Sequence, residues 1–295
     1  MIEIKNLTQK FSNGKGIFDV TFKIDKGEVF GFLGPNGSGK TTTIRHLMGY
    51  MKPQAGQTIV NNLDAWKKQS EVRKSIGYLP GEISFLDGLT GESFLNMMMG
   101  MQGINNKSRR EDLINLFQLD TKIPIRKMSK GTKQKVGIVT TFMHDPDIYI
   151  LDEPTSGLDP LMQKIFINLV LKEKSRGKTF LISSHSLPEI ERTCDRIAII
   201  KEGRIVTTKD IHELHTLQRK TFNVTLSKKE DVHALLNSEL SVDKIDDFIV
   251  RIDIQGNYDV FLNTLSHYHV KNISTDDMSL EHTFMDYYKR EEVSS

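Results

Sequence analysis

The chain has almost no cysteine: Cys194 is the only one in 295 residues. One thiol cannot close an internal disulfide, so a reducing compartment is expected. Cys194 itself reads as a small apolar filler or as a reactive thiol, and free cysteines are usually of the first kind. Long hydrophobic runs are also missing. No apolar stretch approaches the ~20 residues of a membrane-spanning helix. The start, Met1-Ile2-Glu3-Ile4, alternates like a strand and lacks the basic, then apolar, pattern of a signal peptide. If this chain serves a membrane, a different chain must cross it. Strong net charge is absent as well. The formal balance is +2 and no long run of Lys and Arg stands out, so neither nucleic acid nor anionic lipid is expected as the main partner. There is no internal repeat and no low-complexity segment.

What is present suits a folded α/β protein, with 38% hydrophobic and 26% charged residues. Ile2, Ile4, Val20, Phe22 and Ile24 alternate with polar residues, so residues 1–33 are expected to be strands, broken by turns at Ser12-Asn13-Gly14 and Lys26-Gly27. Val29–Leu33 is a short, nearly continuous apolar run, which fits a strand buried on both faces of a mainly parallel sheet. Thr42–Met48 reads as a helix ending near Gly49. Residues 85–145 look mostly helical, and the last helix there, after Met128-Ser129, is expected to stop at Asp145-Pro146. Strands return at Ile148–Leu151, Thr179–Ser183 and Ile197–Ile200, with a helix over Leu161–Arg176. After Leu214 the texture changes. Thr221–Leu226 and Phe248–Ile254 alternate, while Glu230–Leu236, Val260–Leu265 and Leu280–Tyr288 have helical patterns. The domains expected are therefore 1–214, containing a helical subdomain of about 85–145, and 215–295, a small α/β unit.

Gly34-Pro35-Asn36-Gly37-Ser38-Gly39-Lys40-Thr41 fits G-x-x-x-x-G-K-[ST] between a buried strand and a helix. Its chemistry is phosphate binding. Glycines let backbone N–H groups close around the phosphates, and the helix start at Thr41-Thr42 adds unpaired donors and a positive dipole end. Lys40 brings a charge to the outer phosphates, and the Thr41 hydroxyl can ligate Mg²⁺. Ile148–Leu151 then ends in Asp152-Glu153. Open α/β sheets bind ligands at that strand end, so Asp152 can hold Mg²⁺ through water while Glu153 orients the attacking water.

Ser129-Lys130-Gly131-Thr132-Lys133-Gln134-Lys135 resembles the signature sequence of ATP-binding-cassette (ABC) proteins. Asp152-Glu153-Pro154-Thr155-Ser156-Gly157-Leu158-Asp159-Pro160 resembles their extended Walker B and D-loop, and Ser183-Ser184-His185 their switch histidine. The resemblance covers about residues 1–214. It implies a P-loop ABC-ATPase fold with a mainly parallel core sheet, an antiparallel β subdomain and a helical subdomain. It also implies ATP and Mg²⁺ as cofactors, hydrolysis of ATP with Glu153 and His185 as catalytic residues, and a sandwich dimer. In that dimer Ser129, Lys130, Gly131 and Gln134 face the partner's nucleotide and Asp159 lines the seam. Phe11 stands where the family presents an aromatic ring to adenine; core packing is the competing reading. The partner cassette is either a second copy or a paralogue.

Two departures stand out. Lys130 replaces the first glycine of the signature pair, at a helix start where a side chain can point outward. Gly81, in Ile76-Gly77-Tyr78-Leu79-Pro80-Gly81-Glu82, occupies the usual position of a Mg²⁺-sensing glutamine. Either Glu82 supplies the missing oxygen or it is a solvated loop residue. The methionines of 97–101 read as core or as an adaptable surface for membrane subunits. Tyr-Leu-Pro-Gly-Glu, Ser-Lys-Gly and the ending Ser279–Tyr288 resemble bacterial ABC-2-type exporters of antibiotics and amphipathic peptides. That resemblance implies separate integral membrane (permease) subunits, a cytoplasmic position on the inner face of the membrane, and no direct contact with the cargo. A soluble ABC ATPase not tied to transport is the alternative.

Overall fold

The computed structural model describes residues 1–211, 213, 219–255 and 258–276. Two compact units divide the chain, Met1–Lys209 and Asp210–Ser295. The expected join at 214/215 and the expected helix over Leu280–Tyr288 lie outside the described residues, as does the exporter-like ending.

In the first unit the alternating segments become β1 (Ile2–Lys10) and β2 (Gly16–Ile24), which pair antiparallel with Ile2 opposite Ile24, Ile4 opposite Phe22 and Leu7 opposite Val20. These six side chains are buried; Ile2 and Ile4 and Val20, Phe22 and Ile24 keep the period of two, and a register shift between Ile4 and Leu7 restores Leu7 to the core. Two further strands complete this sheet in the order β2-β1-β4-β5, namely β4 (Ala55–Val60) and β5 (Leu63–Asp64). Neither was legible in the sequence. β4 buries only Thr58 and Val60, and its second residue, Gly56, takes φ +81°, where a Cβ would lie 2.3 Å from the Lys5 and Asn6 carbonyl oxygens.

The second sheet holds β3 (Val29–Leu33), β6 (Ile76–Leu79), β7 (Ile148–Asp152), β8 (Thr179–Ser184), β9 (Arg196–Lys201) and β10 (Arg204–Asp210) in the order β10-β9-β3-β8-β7-β6. Strands β9, β3, β8, β7 and β6 run parallel. β3, β7 and β8 are buried at every position, which accounts for the nearly continuous apolar run of β3.

Helices α1 (Lys40–Leu47), α2 (Gln69–Lys74), α3 (Gly91–Gln102), α4 (Ser108–Leu116), α5 (Lys130–Phe142), α6 (Pro160–Ser175) and α7 (Leu187–Thr193) surround these sheets. α1 begins two residues before its expected start, directly from the glycine loop. α5 ends at Phe142, ahead of the expected stop, because Asp145 takes φ +54° in the turn before Pro146. α5 and α6 are opened by side-chain caps: Ser129 Oγ accepts the Thr132 N–H at 3.1 Å and Asp159 Oδ1 accepts the Met162 N–H at 2.9 Å. Burial pushes the Cys194 thiol up to about 12. It fills space beside Gly31, as the filler reading expects.

The second unit runs β11 (Arg219–Leu226), α8 (Lys229–Leu236), β12 (Ser241–Lys244), β13 (Ile249–Gln255), α9 (Asp259–Leu265) and β14 (Val270–Asp276). Its sheet has the order β12-β13-β11-β14 and every pair is antiparallel. Val224, Leu226, Val250 and Ile252 from one sheet face pack with Val232, Leu235, Phe261 and Leu265 from the two helices.

Candidate functional site

The site grows from the carboxyl ends of β3, β7 and β8. β3 passes into the glycine loop, where Gly37 and Gly39 take φ +82° and +112°. Gly34 is hemmed in: a Cβ there would lie 2.4 Å from the Ile200 oxygen and 2.6 Å from Ser38 Oγ. The loop is therefore restricted to glycine by both conformation and space. α1 follows with Gly39 as its N-cap, no side-chain cap and no acidic residue in its first turn. Its N-terminal donors are left for a ligand. The Ser38 hydroxyl is buried and has no hydrogen-bond partner.

Lys40 is buried and folds back over the loop, donating from Nζ to the oxygens of Gly34 (2.6 Å) and Pro35 (3.1 Å). Its ammonium lies 3.3 Å from Glu153 Oε1. The other carboxylate oxygen, Oε2, is 2.7 Å from His185 Nδ1. Glu153 thus stands between a lysine and a histidine brought from distant parts of the chain. Its backbone is held at φ +50°, an uncommon state for a non-glycine residue. The Glu153 N–H donates to the Ser183 carbonyl (3.1 Å) and hydroxyl (3.2 Å), which pin this turn to β8.

Asp152 is fully buried. Thr41 Oγ1 donates to its Oδ2 at 2.7 Å, and Ser183 Oγ donates to Oδ1. Hydroxyl and carboxylate are hard oxygen donors, the kind Mg²⁺ takes alongside phosphate oxygens. Among the described residues no group of three or more His, Cys, Asp or Glu is placed to hold a metal.

These residues surround a cleft of about 530 Å³, whose lining includes Asn36, Thr41, Asp152, Glu153 and His185 together with Glu82. Gly81 lies beside Asp152: a Cβ there would meet Oδ2 at 3.3 Å. A longer side chain at 81 would crowd the carboxylate, while exposed Glu82 borders the cleft. The lining also contains residues the sequence reading missed: Arg45, Tyr78, Pro80 and Ser156. Arg45 had a signal, since it lies four residues after Thr41 on α1 and so on the same helix face. The contact of Ser183 with Asp152 had none, because the two meet only through the β7–β8 register. Burial raises the pKa of the Tyr78 hydroxyl, so it stays neutral at the cleft wall.

Other expected site residues fall elsewhere. Phe11 is exposed at the end of β1, in a tight loop closed by its N–H to the Lys15 oxygen (2.8 Å), and does not line the cleft. Its exposure removes the core-packing reading. Asp159 caps α6. Gln134, grouped with the residues facing a partner's nucleotide, is instead buried. Its Nε2 donates to the Pro154 oxygen at 2.7 Å, because position 134 lies on the inward face of α5. Lys130, at a helix start where a side chain can point outward, is exposed; its ammonium donates to Ser156 Oγ at 2.9 Å and it joins the cleft lining.

The family model described as ABC transporter matches residues 17–156. The uncharacterised ABC transporter ATP-binding protein YhcH of Bacillus subtilis is 34% identical over 80% of this chain and 79% of its own length. The bacitracin transport ATP-binding protein BcrA of Bacillus licheniformis is 33% identical over 82% of this chain and 80% of its own. A solved ATP-binding subunit of an ABC transporter is 32% identical, with a TM-score of 0.67 over 73% of this chain and 92% of that one. The α/β architecture of the first unit, with its parallel and antiparallel sheets, is thus the ABC-ATPase fold. With a phosphate loop, a buried aspartate and a histidine-held glutamate around one cleft, the chain belongs to the ABC transporter family, as an ATP-binding protein and ATPase of that family.

Proposed function

We propose that two cassettes sandwich ATP and that its hydrolysis drives separate membrane subunits, exporting amphipathic compounds. The observation that carries this is the arrangement of Glu153 between Lys40 and His185 at the mouth of the glycine loop. A γ-phosphate held by Lys40 and the α1 N-terminus would lie next to Glu153, close enough to orient a water in line. His185 fixes the Glu153 rotamer and can donate to the same phosphate oxygens. Thr41 and Asp152 would hold Mg²⁺, which neutralises charge on the phosphates when bound. Phe11, exposed on its loop, can stack on adenine, for which only a flat face is needed.

The partner cassette, a second copy or a paralogue, would present Ser129 and Gly131. The positive dipole end of α5 would favour a γ-phosphate there, and Asp159, at the start of α6, would line the seam. No helix among the described residues is long and apolar enough to cross a membrane. The chain would take a peripheral position, bound to permease subunits on the cytoplasmic face. The cargo would never touch this chain. A relative named for bacitracin transport supports an amphipathic cargo. Glu82, at the cleft edge beside Gly81, can supply the oxygen that a glutamine would bring.

The test combines two measurements on purified chain. Glu153→Gln should lower ATPase turnover about 100-fold or more while ATP holds the variant as a dimer in size-exclusion chromatography. Affinity capture from membranes should bring a polytopic membrane protein with it. Unchanged turnover, or ATP that never brings two chains together, overturns the site reading. Capture of no membrane protein leaves a soluble ATPase.

A further inference from the structure

Lys130 is in an unfavourable place for a cation. It is the first residue of α5, at the positive end of the helix dipole. Among the described residues no carboxylate pairs with it; its ammonium donates instead to a neutral hydroxyl, Ser156 Oγ, at 2.9 Å. The rest of the side chain lies along Gly157. A Cβ on Gly157 would meet Lys130 Cγ, Cδ and Cε at 3.1, 3.2 and 3.4 Å, so the stem runs in the space a side chain would take. The neighbouring residues of α5 hold the same segment. Gly131 lets the Gly157 carbonyl approach to 2.5 Å of where its Cβ would stand, and buried Gln134 donates to the Pro154 oxygen at 2.7 Å. Ser156 in turn donates its N–H to the Glu153 carbonyl at 3.1 Å. Three positions on one face of a helix thus grip the four residues that follow Glu153.

We propose that Lys130 is a positioning residue for Glu153: by anchoring Ser156 it holds the turn that keeps Glu153 in its left-handed backbone state, facing Lys40 and His185. The grip is made within one chain. The helix that begins at Ser129 is therefore mechanically joined to the carboxylate of its own cleft, and movement at the start of α5 reaches Glu153 through two hydrogen bonds. A flexible, exposed lysine can make and release such a contact at little cost, because Ser156 Oγ and water are both adequate partners.

This proposal rests on Glu153 being the hydrolytic carboxylate, and the experiment separates the two. Steady-state ATPase kinetics and thermal melting are measured for full-length wild type, Lys130→Met, Lys130→Arg, Ser156→Ala and the Lys130→Met/Ser156→Ala double variant, with Glu153→Gln alongside. Lys130→Met and Ser156→Ala should each lower kcat about fivefold or more, since a small misplacement of a reacting group is costly. The KM for ATP and the melting temperature should stay as in wild type. The double variant should be no worse than the more impaired single one, because both remove one contact. Lys130→Arg should restore most of kcat. An unchanged kcat in Lys130→Met, losses that multiply in the double variant, or a raised KM with Ser156→Ala silent would overturn the proposal. The last of these outcomes would place the ammonium on nucleotide instead. Glu153→Gln with wild-type turnover would refute the assignment of Glu153, whatever the lysine variants do.

Discussion

The first unit buries Lys40, Gln134, Asp152, Ser183 and Ser184, most of them near one cleft, whereas the second unit buries a single polar side chain, Thr221, among the described residues. The core of the second unit is apolar on the sheet and on both helices. Ion pairs there such as Lys229 with Asp247 and Lys244 with Asp247 are exposed and contribute little. Burying a charge is unfavourable unless it is paired and hydrogen-bonded. The first unit buries charge both at the cleft, with Lys40 and Asp152, and away from it, where Glu173 is paired with Arg109 and Arg176, whereas the second unit buries no charged side chain among the described residues. The contrast extends to the backbone. Glu153 is held at φ +50° beside the cleft, while β11, β13 and β14 pair in regular register with one irregularity, between Thr225 and Leu226.

Three substitutions would break or sharpen this comparison. The largest effect is expected in the first unit, from Lys40→Ala. It removes the phosphate cation and leaves Glu153 without its neighbour. ATP affinity should fall at least about tenfold and turnover about 100-fold or more, measured by nucleotide titration and phosphate release. A fold that stays intact while activity disappears is the expected signature. Near-normal turnover would place the chemistry elsewhere.

Ile252→Ala probes the second unit. Ile252 is fully buried in the apolar cluster, so the change should cost about 2–4 kcal/mol of that unit's stability, seen in chemical denaturation. ATP KM and kcat should not change in protein kept below its melting temperature. A large loss of turnover in the folded variant would show that the second unit takes part in catalysis, and the contrast would fail.

The smallest effect is expected at Glu189. Burial raises its pKa, and the Ser184 hydroxyl donating at 2.8 Å opposes that shift. The folded protein therefore holds this proton more tightly than the unfolded chain. Glu189 favours folding below the ordinary glutamate pKa of about 4.3, and that contribution is lost as pH rises through the raised folded value. Glu189→Gln removes this dependence. The variant should be more stable than wild type near pH 7–8, by no more than about 0.5 kcal/mol, and the difference should vanish near pH 4. A variant that is less stable at pH 8 would mean that the charged carboxylate is required there.

The local grammar of the cleft was legible in the sequence. The buried strand, the glycine loop and the start of α1 are consecutive, so glycine φ preferences, a lysine and a helix N-terminus specify the phosphate cradle within about a dozen residues. The apolar run into Asp152-Glu153 was readable for the same reason. β4 was not, because it pairs with β1 over a separation of some fifty residues and carries only two inward side chains. α7 is a short helix and β10 has no fully buried side chain, so neither carries a periodic apolar pattern. The burial of Gln134 and the contact of Lys130 with Ser156 were not legible, because motif spacing reports position along a helix and not what packs against it.

The sequence by itself determined which groups are available: a phosphate loop, two adjacent carboxylates, a histidine after a buried strand, and alternating patterns that commit each segment to strand or helix. Those are decided by neighbours a few residues apart, through backbone preference and hydrophobic period. Only the tertiary structure decided which groups meet. Lys40, Glu153 and His185 converge because β3, β7 and β8 are adjacent parallel strands that end at the same edge, and Ser183 reaches Asp152 because their strands are in register. Such contacts depend on packing across the sheet, which no local pattern encodes.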